Sequence, residues 1–289
     1  MADILYKVQT RFMFHAHIKI KLSAFYEDEI FDELFGLLDK VDRLYNSYQP
    51  DSYISRINAH AGSFVEVDDQ TIEILRKVIE LSDEFDGEYD ITIMPLIRLW
   101  GFYKDGQRVV PSKEALEAVK PLIDYRRIEI DGNRVRIGKG QEIITGSFIK
   151  AYAIDQLVSR MREIGIEDAI VNAGGSTIYG INNEAHPSWT VNVRDPQSEE
   201  LLFDLNISNE CYSTSSQSKT FVEIDGKQYG HILSPRTGMP STNRMIGIVS
   251  DSCMVGDIIS TGLYNETREG FEEKIIHLNR KYGVRGFML

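Results

Sequence analysis

His231 has the best setting of the six histidines for acid–base chemistry. It lies in the segment YGHILSPRTG, residues 229–238, where Pro235 and Gly238 predict a turn directly after a strand. Side chains at strand ends are often catalytic, and an ordinary histidine pKa of about 6.5 suits a base at neutral pH. Spacing alone, however, favours a structural histidine over a catalytic one.

An aspartate and a threonine could form a metal site. The segment VGDIIST, residues 255–261, places Asp257 and Thr261 four positions apart, so they share one face of a predicted helix. A carboxylate and a hydroxyl can bind a hard cation such as Mg²⁺, which keeps phosphate oxygens in its remaining positions. The alternative is an aspartate at a helix start and a threonine that bonds back to a carbonyl oxygen.

Two segments could bind a phosphate. In GSFIKAYAID, residues 146–155, Lys150 lies in the first turns of an apolar predicted helix, where its positive charge would suit an anion. The glycine pair of NAGG, residues 172–175, follows a predicted strand and could leave amide hydrogens free for phosphate oxygens. Both segments also have an ordinary interpretation, because lysines often extend from apolar faces and glycine pairs often only end strands.

The segment FDGEYDITIMPLIRLWGF, residues 85–102, is dense in aromatic side chains. Asp86, Glu88 and Asp90 lie among them, a combination that suits an aromatic ligand held by a few polar groups. Aromatic residues at this density are also typical of a protein core. The segment is therefore open to either interpretation.

The periodicity of apolar residues predicts the elements that must position these side chains. Strands are predicted at residues 15–22, 167–175, 189–195, 201–207 and 244–250, hairpins at 127–138 and 219–232, and helices at about 30–44, 69–85, 148–163, 253–264 and 267–281. The fold class is therefore α/β (α+β mixed), with mixed, largely antiparallel sheets flanked by helices. Since no linker divides the chain, residues 1–289 are expected to form a single domain, as one unit or two closely packed halves.

Composition argues against several kinds of partner. The 289 residues include 32 Lys and Arg against 44 Asp and Glu, a net charge of −12 that would repel nucleic acid. No apolar run suits a signal peptide or a ~20-residue membrane span. A cytoplasmic protein is expected, or an exported one if a signal peptide has been removed. Cys211 and Cys253 are too few for a disulfide framework and are expected to be reduced core thiols.

Several segments, taken together and in order, resemble the ApbE family of FAD:protein FMN transferases. They are YQPDSYISRIN (48–58), FDGEYDITIMPLIRLWGF, IKAYAID, VNAGG, YSTSS (212–216), GHILSPRTG and VGDIIST. The resemblance extends from about Met13 to Tyr264, and the ordered set is far more specific than any one motif. It implies an ApbE-like, T-fold-type architecture.

The resemblance also implies an activity. Enzymes of this family bind FAD and Mg²⁺ and transfer FMN to a threonine hydroxyl of an acceptor flavoprotein, with release of AMP. This is phosphoryl transfer at a pyrophosphate, in which the metal neutralises phosphate oxygens and the protein supplies position and charge. FAD as substrate, Mg²⁺ as cofactor and a flavoprotein with a target threonine as partner are therefore expected.

Site residues follow from the resemblance position by position. His231 resembles the family's proposed base. The implied metal ligands are the side chains of Asp257 and Thr261 and the backbone carbonyls of Ser147 and Ser260. The implied FAD-contacting residues are Met13, Tyr48, Glu88, Tyr89, Asp90, Lys150 and Ile232.

The chain also departs from the family pattern. Ile144 replaces a carboxylate of the flavin site, Ser176 follows NAGG in place of a common aspartate, Ser234 stands where relatives often have the aspartate of Asp-Pro-Arg-Thr-Gly, and Phe14-His15 replaces Gly-Thr. The loss at Ile144 raises the alternative of an FAD-binding protein without transfer activity. A further alternative is an FAD pyrophosphatase that uses water as the acceptor.

Overall fold

A seven-stranded sheet runs through the protein, and the other elements are arranged around it. The computed structural model describes residues 5–102, 108–217 and 220–289. In these ranges the strands are β1 (Tyr6–Met13), β2 (Ala16–Ser23), β3 (Val65–Glu66), β4 (Glu129–Asp131), β5 (Arg134–Arg136), β6 (Ala169–Ala173), β7 (Thr177–Ile181), β8 (Trp189–Arg194), β9 (Leu201–Ile207), β10 (Glu210–Ser216), β11 (Phe221–Ile224), β12 (Lys227–Gly230), β13 (Met245–Ser250) and β14 (Arg285–Met288). The helices are α1 (Glu29–Tyr45), α2 (Tyr53–Ala59), α3 (Asp69–Ser82), α4 (Met94–Leu99), α5 (Lys113–Val119), α6 (Ile149–Glu163), α7 (Cys253–Gly262) and α8 (Arg268–Tyr282).

The central sheet has the strand order β1-β2-β6-β7-β10-β13-β14, and each neighbouring pair is antiparallel. The smaller sheets β3-β5-β4, β8-β9 and β11-β12 are antiparallel as well. The predicted mixed fold with largely antiparallel sheets and flanking helices is therefore confirmed. This strand order also brings the turn after β6 next to β10, where the backbone N–H of Thr214 donates to the carbonyl of Ser176 at 2.7 Å.

The main apolar core lies between the central sheet and the helices packed against it. Alternate residues of a strand share one face, and residues three and four apart share one face of a helix. Core residues with no exposed surface include Ile18, Ile20 and Leu22 of β2 and Phe31, Leu34 and Leu38 of α1. Helix α6 packs against both α1 and α7. The segment that carries Lys150 therefore lies beside the segment that carries Asp257.

Most predicted elements are confirmed, with shifts at their ends. The hairpin predicted at 219–232 forms β11 and β12 around Asp225 and Gly226, whose φ angles of 51° and 73° are left-handed. Its predicted first residue, Lys219, lies outside the described residues. The helix predicted over 69–85 ends as an α-helix at Ser82 and continues as a 3-10 turn over Asp83–Phe85.

Strand β10 is an element that apolar periodicity does not predict. Its sequence, ECYSTSS, contains few large apolar side chains and so lacks the usual alternation. It nevertheless lies inside the central sheet and pairs with both β7 and β13. Helix α7 packs on this strand, and small hydroxyl side chains allow that close approach.

Within residues 5–102, 108–217 and 220–289, no helix is long and apolar enough to cross a bilayer. Cys211 and Cys253 are fully buried and form no disulfide. The predicted core position of both cysteines is confirmed.

Asp155 joins helix α6 to the start of helix α7. One carboxylate oxygen accepts a hydrogen bond from the backbone N–H of Cys253 at 2.7 Å. The other accepts from the N–H of Met254 at 3.0 Å and from the Ser252 hydroxyl at 2.7 Å. The carboxylate thus satisfies N–H groups that have no partner inside the helix, and its charge lies at the positive end of the helix dipole. Burial raises the pKa of Asp155, while these hydrogen bonds oppose the rise.

The substitution Asp155→Ala is expected to lower the free energy of unfolding by about 2 to 4 kcal/mol, because it removes a helix cap and leaves buried N–H groups unsatisfied. Thr267→Ala is the matched control, since Thr267 caps the more exposed helix α8 through the N–H of Gly270. Its expected cost is about 1 kcal/mol. Urea unfolding followed by circular dichroism measures both, and equal losses would contradict the role assigned to Asp155.

Candidate functional site

Helix α7 carries Asp257 against the middle of the central sheet. Gly256 permits this approach, because a Cβ at that position would lie 2.7 Å from the hydroxyl oxygens of Ser213 and Ser250. The helix therefore packs directly on β10. Asp257 reaches the first residue of β7, Thr177, and is surrounded by hydroxyl groups from the sheet.

Lys150, Thr177 and Asp257 form a connected polar network, called here the Lys150 network. The Nζ of Lys150 contacts the Thr177 hydroxyl and lies 3.2 Å from the Oγ of Ser176 and 3.7 Å from the Oδ2 of Asp257. The Thr177 hydroxyl oxygen lies 3.1 and 3.0 Å from the two carboxylate oxygens of Asp257. Since an ammonium only donates, Thr177 accepts from Lys150 and donates to Asp257. The structure thus brings together two residues that the sequence predicted for separate roles.

The Lys150 network is shielded from water. The side chains of Lys150 and Asp257 are only 14% and 13% exposed. Burial raises the pKa of the Asp257 carboxyl, while the charge of Lys150 and hydrogen bonds from Ser213, Thr177 and Lys150 oppose the rise. A second cation beside this carboxylate would also favour its charged form. In the structure, Lys150 supplies the cation that stabilises the charged form of Asp257.

Neutral oxygen atoms lie around Asp257 as well. The hydroxyls of Ser260 and Thr261 donate to the backbone carbonyl of Asp257 at 3.0 and 2.9 Å. The Ser215 hydroxyl lies 2.8 Å from that of Ser260 and 3.2 Å from that of Thr261. The α7 residues predicted as metal ligands are therefore clustered with a strand residue that the sequence did not predict.

Tyr89 lies within electrostatic range of the same carboxylate, and Ser147 contacts Tyr89. The Tyr89 hydroxyl and the Ser147 Oγ are 2.9 Å apart. Burial raises the pKa of Tyr89, and the negative charge of Asp257 contributes to the rise. Tyr89 thus connects a further predicted site residue, Ser147, to the surroundings of Asp257.

The oxygen atoms around Asp257 can be compared with the ligands that Mg²⁺ prefers. Across residues 5–102, 108–217 and 220–289, no three His, Cys, Asp or Glu side chains come together as a metal cluster. Mg²⁺ does not require one, because it is often held by one or two carboxylates with oxygen ligands from substrate phosphates and water. One carboxylate among hydroxyl and carbonyl oxygens fits that preference. The ligand roles of Ser147, Asp257, Ser260 and Thr261 stay predictions.

His231 follows strand β12 directly, as the sequence predicts, and is partly buried. Its Nδ1 lies 3.1 Å from the carbonyl oxygen of Thr220, which can only accept, so Nδ1 carries the proton. Nε2 is then the basic nitrogen. Burial lowers the pKa of His231, although the Thr220 carbonyl opposes this, so the imidazole is neutral at neutral pH. In the described part of the chain, no hydrogen bond or ion pair joins His231 to the Lys150 network.

The glycine pair of NAGG forms a turn whose amides are used inside the protein. Gly174 and Gly175 have φ angles of 70° and 77°. The N–H of Gly174 donates to the carbonyl of His17 at 3.0 Å, and that of Gly175 donates to the Asn172 side chain at 2.8 Å. These contacts favour the turn interpretation over a phosphate cradle. The turn positions Ser176 and Thr177 beside Lys150.

Asp90 lies inside the protein and stabilises its own loop. Its carboxylate accepts hydrogen bonds from the N–H and hydroxyl of Thr92, both at 2.7 Å, and from the N–H of Tyr125 at 2.9 Å. Both carboxylate oxygens therefore have partners within the chain. FAD contact by Asp90 stays a prediction, and these bonds show how Asp90 can position the neighbouring Glu88 and Tyr89.

The remaining predicted FAD residues lie on separate elements. Met13 ends β1, next to Phe14 and His15, whose φ angles of 51° and 57° make a left-handed turn without glycine. The His15 ring lies edge-on to the Tyr48 ring, with their centroids 5.5 Å apart. Ile232 is partly buried against the main core. The Phe14-His15 departure is thus accommodated in a tight turn.

Ile144, which replaces a family carboxylate, belongs to a second apolar cluster. It is 9% exposed and buried in this cluster with Met94 and Trp100, and Tyr48 packs against the same cluster. An apolar side chain is therefore well accommodated at this position.

Motif comparison missed the hydroxyl residues that connect the site. Thr177, Ser213 and Ser215 all lie close to helix α7 but belong to no predicted ligand set. One usable signal was the spacing in YSTSS, because residues two apart in a strand share a face. Ser213 and Ser215 lie on the same face by this rule.

Comparison with known proteins gives a consistent result. A sequence model described as the ApbE family matches residues 14–280. A protein of Vibrio cholerae serotype O1 named FAD:protein FMN transferase is 30% identical over 239 residues, covering 80% of this chain and 71% of its own. A protein of the same name from Escherichia coli K12 is 27% identical over 274 residues, covering 90% of this chain and 76% of its own.

A solved structure supports the same fold. The ApbE protein of Thermotoga maritima MSB8 superposes with a TM-score of 0.90 at 22% identity, over 98% of this chain and 94% of the other. The resemblance inferred from the ordered motifs is therefore confirmed. With most of its length matched and its fold shared, this chain belongs to the ApbE family.

Proposed function

We propose that this protein is an Mg²⁺-dependent FAD:protein FMN transferase. It transfers the FMN moiety of FAD to a threonine hydroxyl of an acceptor flavoprotein and releases AMP. The observation that carries the proposal is the Lys150 network, in which a shielded lysine and aspartate lie among hydroxyl groups suited to a metal and a pyrophosphate. The names of the Vibrio cholerae and Escherichia coli relatives support the same activity.

The proposed reaction forms one bond to phosphorus and breaks another. The threonine oxygen of the acceptor bonds to the FMN phosphorus, and the bond from that phosphorus to the bridging oxygen breaks. AMP leaves with the bridging oxygen, and the hydroxyl proton passes to Nε2 of His231. Mg²⁺, when bound, neutralises charge on the phosphate oxygens.

The residues of this chain supply position and charge. Lys150 places a positive charge beside the site and allows an acidic protein to bind a pyrophosphate. Asp257 and its neighbouring oxygens would hold the metal. Thr177, which is hydrogen-bonded to both Lys150 and Asp257, holds the two side chains in position relative to each other. His231, neutral and with its Nδ1 proton held by Thr220, presents Nε2 as the base.

The proposed activity predicts three coupled results when the protein is mixed with FAD, Mg²⁺ and candidate acceptors. The acceptor gains flavin fluorescence in a gel, its mass increases by that of the FMN moiety, and AMP appears. Asp257→Asn is expected to slow transfer by at least about a hundredfold, because it removes the charge that would hold the metal. Asp251→Asn is the matched control, since Asp251 is exposed just before helix α7.

Each other result of this assay identifies a different function. AMP without a modified protein would indicate an FAD pyrophosphatase. Intact bound FAD with no AMP, and equal FAD affinity in Asp257→Asn, would indicate a flavin-binding protein without transfer activity. Either result would refute the proposed transferase.

The lowered pKa of His231 predicts the pH dependence of transfer. His231 stays unprotonated to a lower pH than a free histidine, so the rate should fall only below about pH 6.5. His231→Gln should abolish this acid limb and slow transfer at about pH 7.5 by about a hundredfold. As the pH falls, His231 binds a proton at a higher pH in the unfolded chain than in the folded protein. The free energy of unfolding should therefore decrease below about pH 6.5, and it should decrease less in His231→Gln. An unchanged pH–rate profile in His231→Gln would exclude His231 as the base.

The Thr177 hydroxyl is expected to affect catalysis through Lys150 and Asp257. Thr177→Val keeps the shape of the side chain but leaves both charged groups without their shared partner, so kcat/KM should fall about tenfold. Thr177→Ser restores the hydroxyl and should remain close to wild type. Steady-state kinetics with varied FAD measure the effect. Full activity in Thr177→Val would show that the hydroxyl is dispensable.

A further inference from the structure

One face of the central sheet, called here the outer face, points away from the main core. His17 and Lys19 lie on this face of β2, because alternate residues of a strand share a face. Ile18 and Ile20, which alternate with them, are buried in the main core. The residues paired with His17 and Lys19 extend the outer face over β1 and β6, and they are Thr10, Phe12 and Asn172. The β8-β9 sheet covers β7, β10 and β13 on this side but leaves His17 and Lys19 exposed.

An open cavity of about 380 Å³ lies on the outer face. Phe12, Lys19 and Asn172 line it, together with the two glycines of the NAGG turn. The side chain of Phe12 is 65% exposed, and its ring lies edge-on to the ring of His17, with their centroids 5.3 Å apart. The cavity therefore presents an aromatic surface beside a basic group and an amide.

The outer face is basic, although the protein is acidic overall. The chain has a net charge of −12, yet the outward positions of β1, β2 and β6, all of them described, include two lysines and no Asp or Glu. Lys19 is exposed, and no carboxylate among the described residues forms an ion pair with it. Since opposite charges guide the association of proteins, this face fits an acidic partner.

The far end of the outer face is closed by contacts within the chain. The Nζ of Lys21 lies 4.4 Å from the ring centroid of Tyr6 and 4.7 Å from that of Trp189. Asp168 accepts a hydrogen bond from the Tyr6 hydroxyl and lies 2.9 Å from the Nδ1 of His186. The charges at this end therefore already have partners. The unpaired positive charge is confined to the end that holds the cavity.

The cavity lies beside the candidate site. The NAGG turn, whose glycines line the cavity, leads directly to Ser176, and the Oγ of Ser176 lies 3.2 Å from the Nζ of Lys150. His15 also lines the cavity, and its ring lies against that of Tyr48, an FAD residue implied by the family. Lys150 and Asp257 belong to helices on the core side of the sheet. Two ligands can therefore reach the same turn from opposite sides.

We propose that the outer face is the docking surface for the acceptor flavoprotein, and that it binds an acidic segment next to the target threonine. This inference rests on the proposed function, in which FAD and the acceptor must occupy the protein together. Lys19 pairs with a carboxylate of the acceptor segment, and Phe12 packs against one of its apolar side chains. The Lys150 network remains available to FAD.

Peptide binding tests this surface independently of transfer. The probe is a fluorescently labelled synthetic peptide with a central threonine flanked by aspartates and one leucine, and fluorescence anisotropy measures its Kd. Lys19→Glu should weaken binding by at least about tenfold, because it replaces an attraction by a repulsion. A matched peptide with lysines in place of the aspartates should bind Lys19→Glu more tightly than wild type. Lys40→Glu is the control, since Lys40 is exposed on α1 and its replacement changes the net charge equally.

Transfer kinetics separate docking from catalysis. With an acceptor identified by the transfer assay, Lys19→Glu should raise the KM for the acceptor about tenfold and leave kcat within about twofold of wild type. Phe12→Ser should raise the same KM without a change in net charge. Flavin fluorescence should give an unchanged Kd for FAD in both variants. Circular dichroism checks that both are folded, as expected for substitutions of exposed side chains.

Several outcomes would overturn the inference. Equal losses of peptide binding in Lys19→Glu and Lys40→Glu would indicate an effect of net charge alone. A weaker Kd for FAD in Lys19→Glu would assign the outer face to FAD, and no binding of the aspartate peptide to wild type would exclude the acidic partner. Normal transfer with an unchanged acceptor KM in Lys19→Glu would refute the docking surface alone. The expected peptide binding without any FMN transfer would instead retain the docking surface and refute the transferase.

Discussion

The hydrogen bonds that Asp155 accepts from the first turn of α7 determine where the charged groups of the site lie. Lys150 is on the same helix as Asp155, and Asp257 follows the capped turn on α7. One buried carboxylate therefore sets the position of both helices and, through them, the 3.7 Å separation between Lys150 and Asp257. The cap stabilises the fold and positions the candidate catalytic groups at the same time.

Hydroxyl groups, rather than further charges, surround the Asp257 carboxylate. Thr177 donates to it directly, and Ser213 also stabilises its charge. Such neutral donors reduce the cost of burying a carboxylate without cancelling its charge. A second carboxylate in this position would repel Asp257, and a second lysine would compete with a metal. The hydroxyl groups of β7 and β10 therefore suit a site whose charge must remain available to a ligand.

Local patterns predicted most of the fold but less of the site. Helices α1 and α6 have regular apolar spacing, and the ordered motifs identified Lys150, His231 and Asp257 as candidates. Strand β10 escaped prediction because two of its buried positions, 213 and 215, are serines, so its sequence lacks an apolar alternation. The role of Thr177 escaped prediction because its contacts with Lys150 and Asp257 join segments far apart in the chain. Contacts between such distant segments form only when the chain folds, so no local pattern in the sequence predicts them.

The absence of a side chain at Gly256 has a consequence for how this family of sequences can change. A methyl group there would meet the hydroxyls of Ser213 and Ser250 on two different strands. Replacement of Gly256 alone would push α7 away from the sheet and carry Asp257 with it. Relatives of this chain should therefore keep glycine at 256 together with small residues at 213 and 250. A substitution at one of these positions should be accompanied by substitutions at the others.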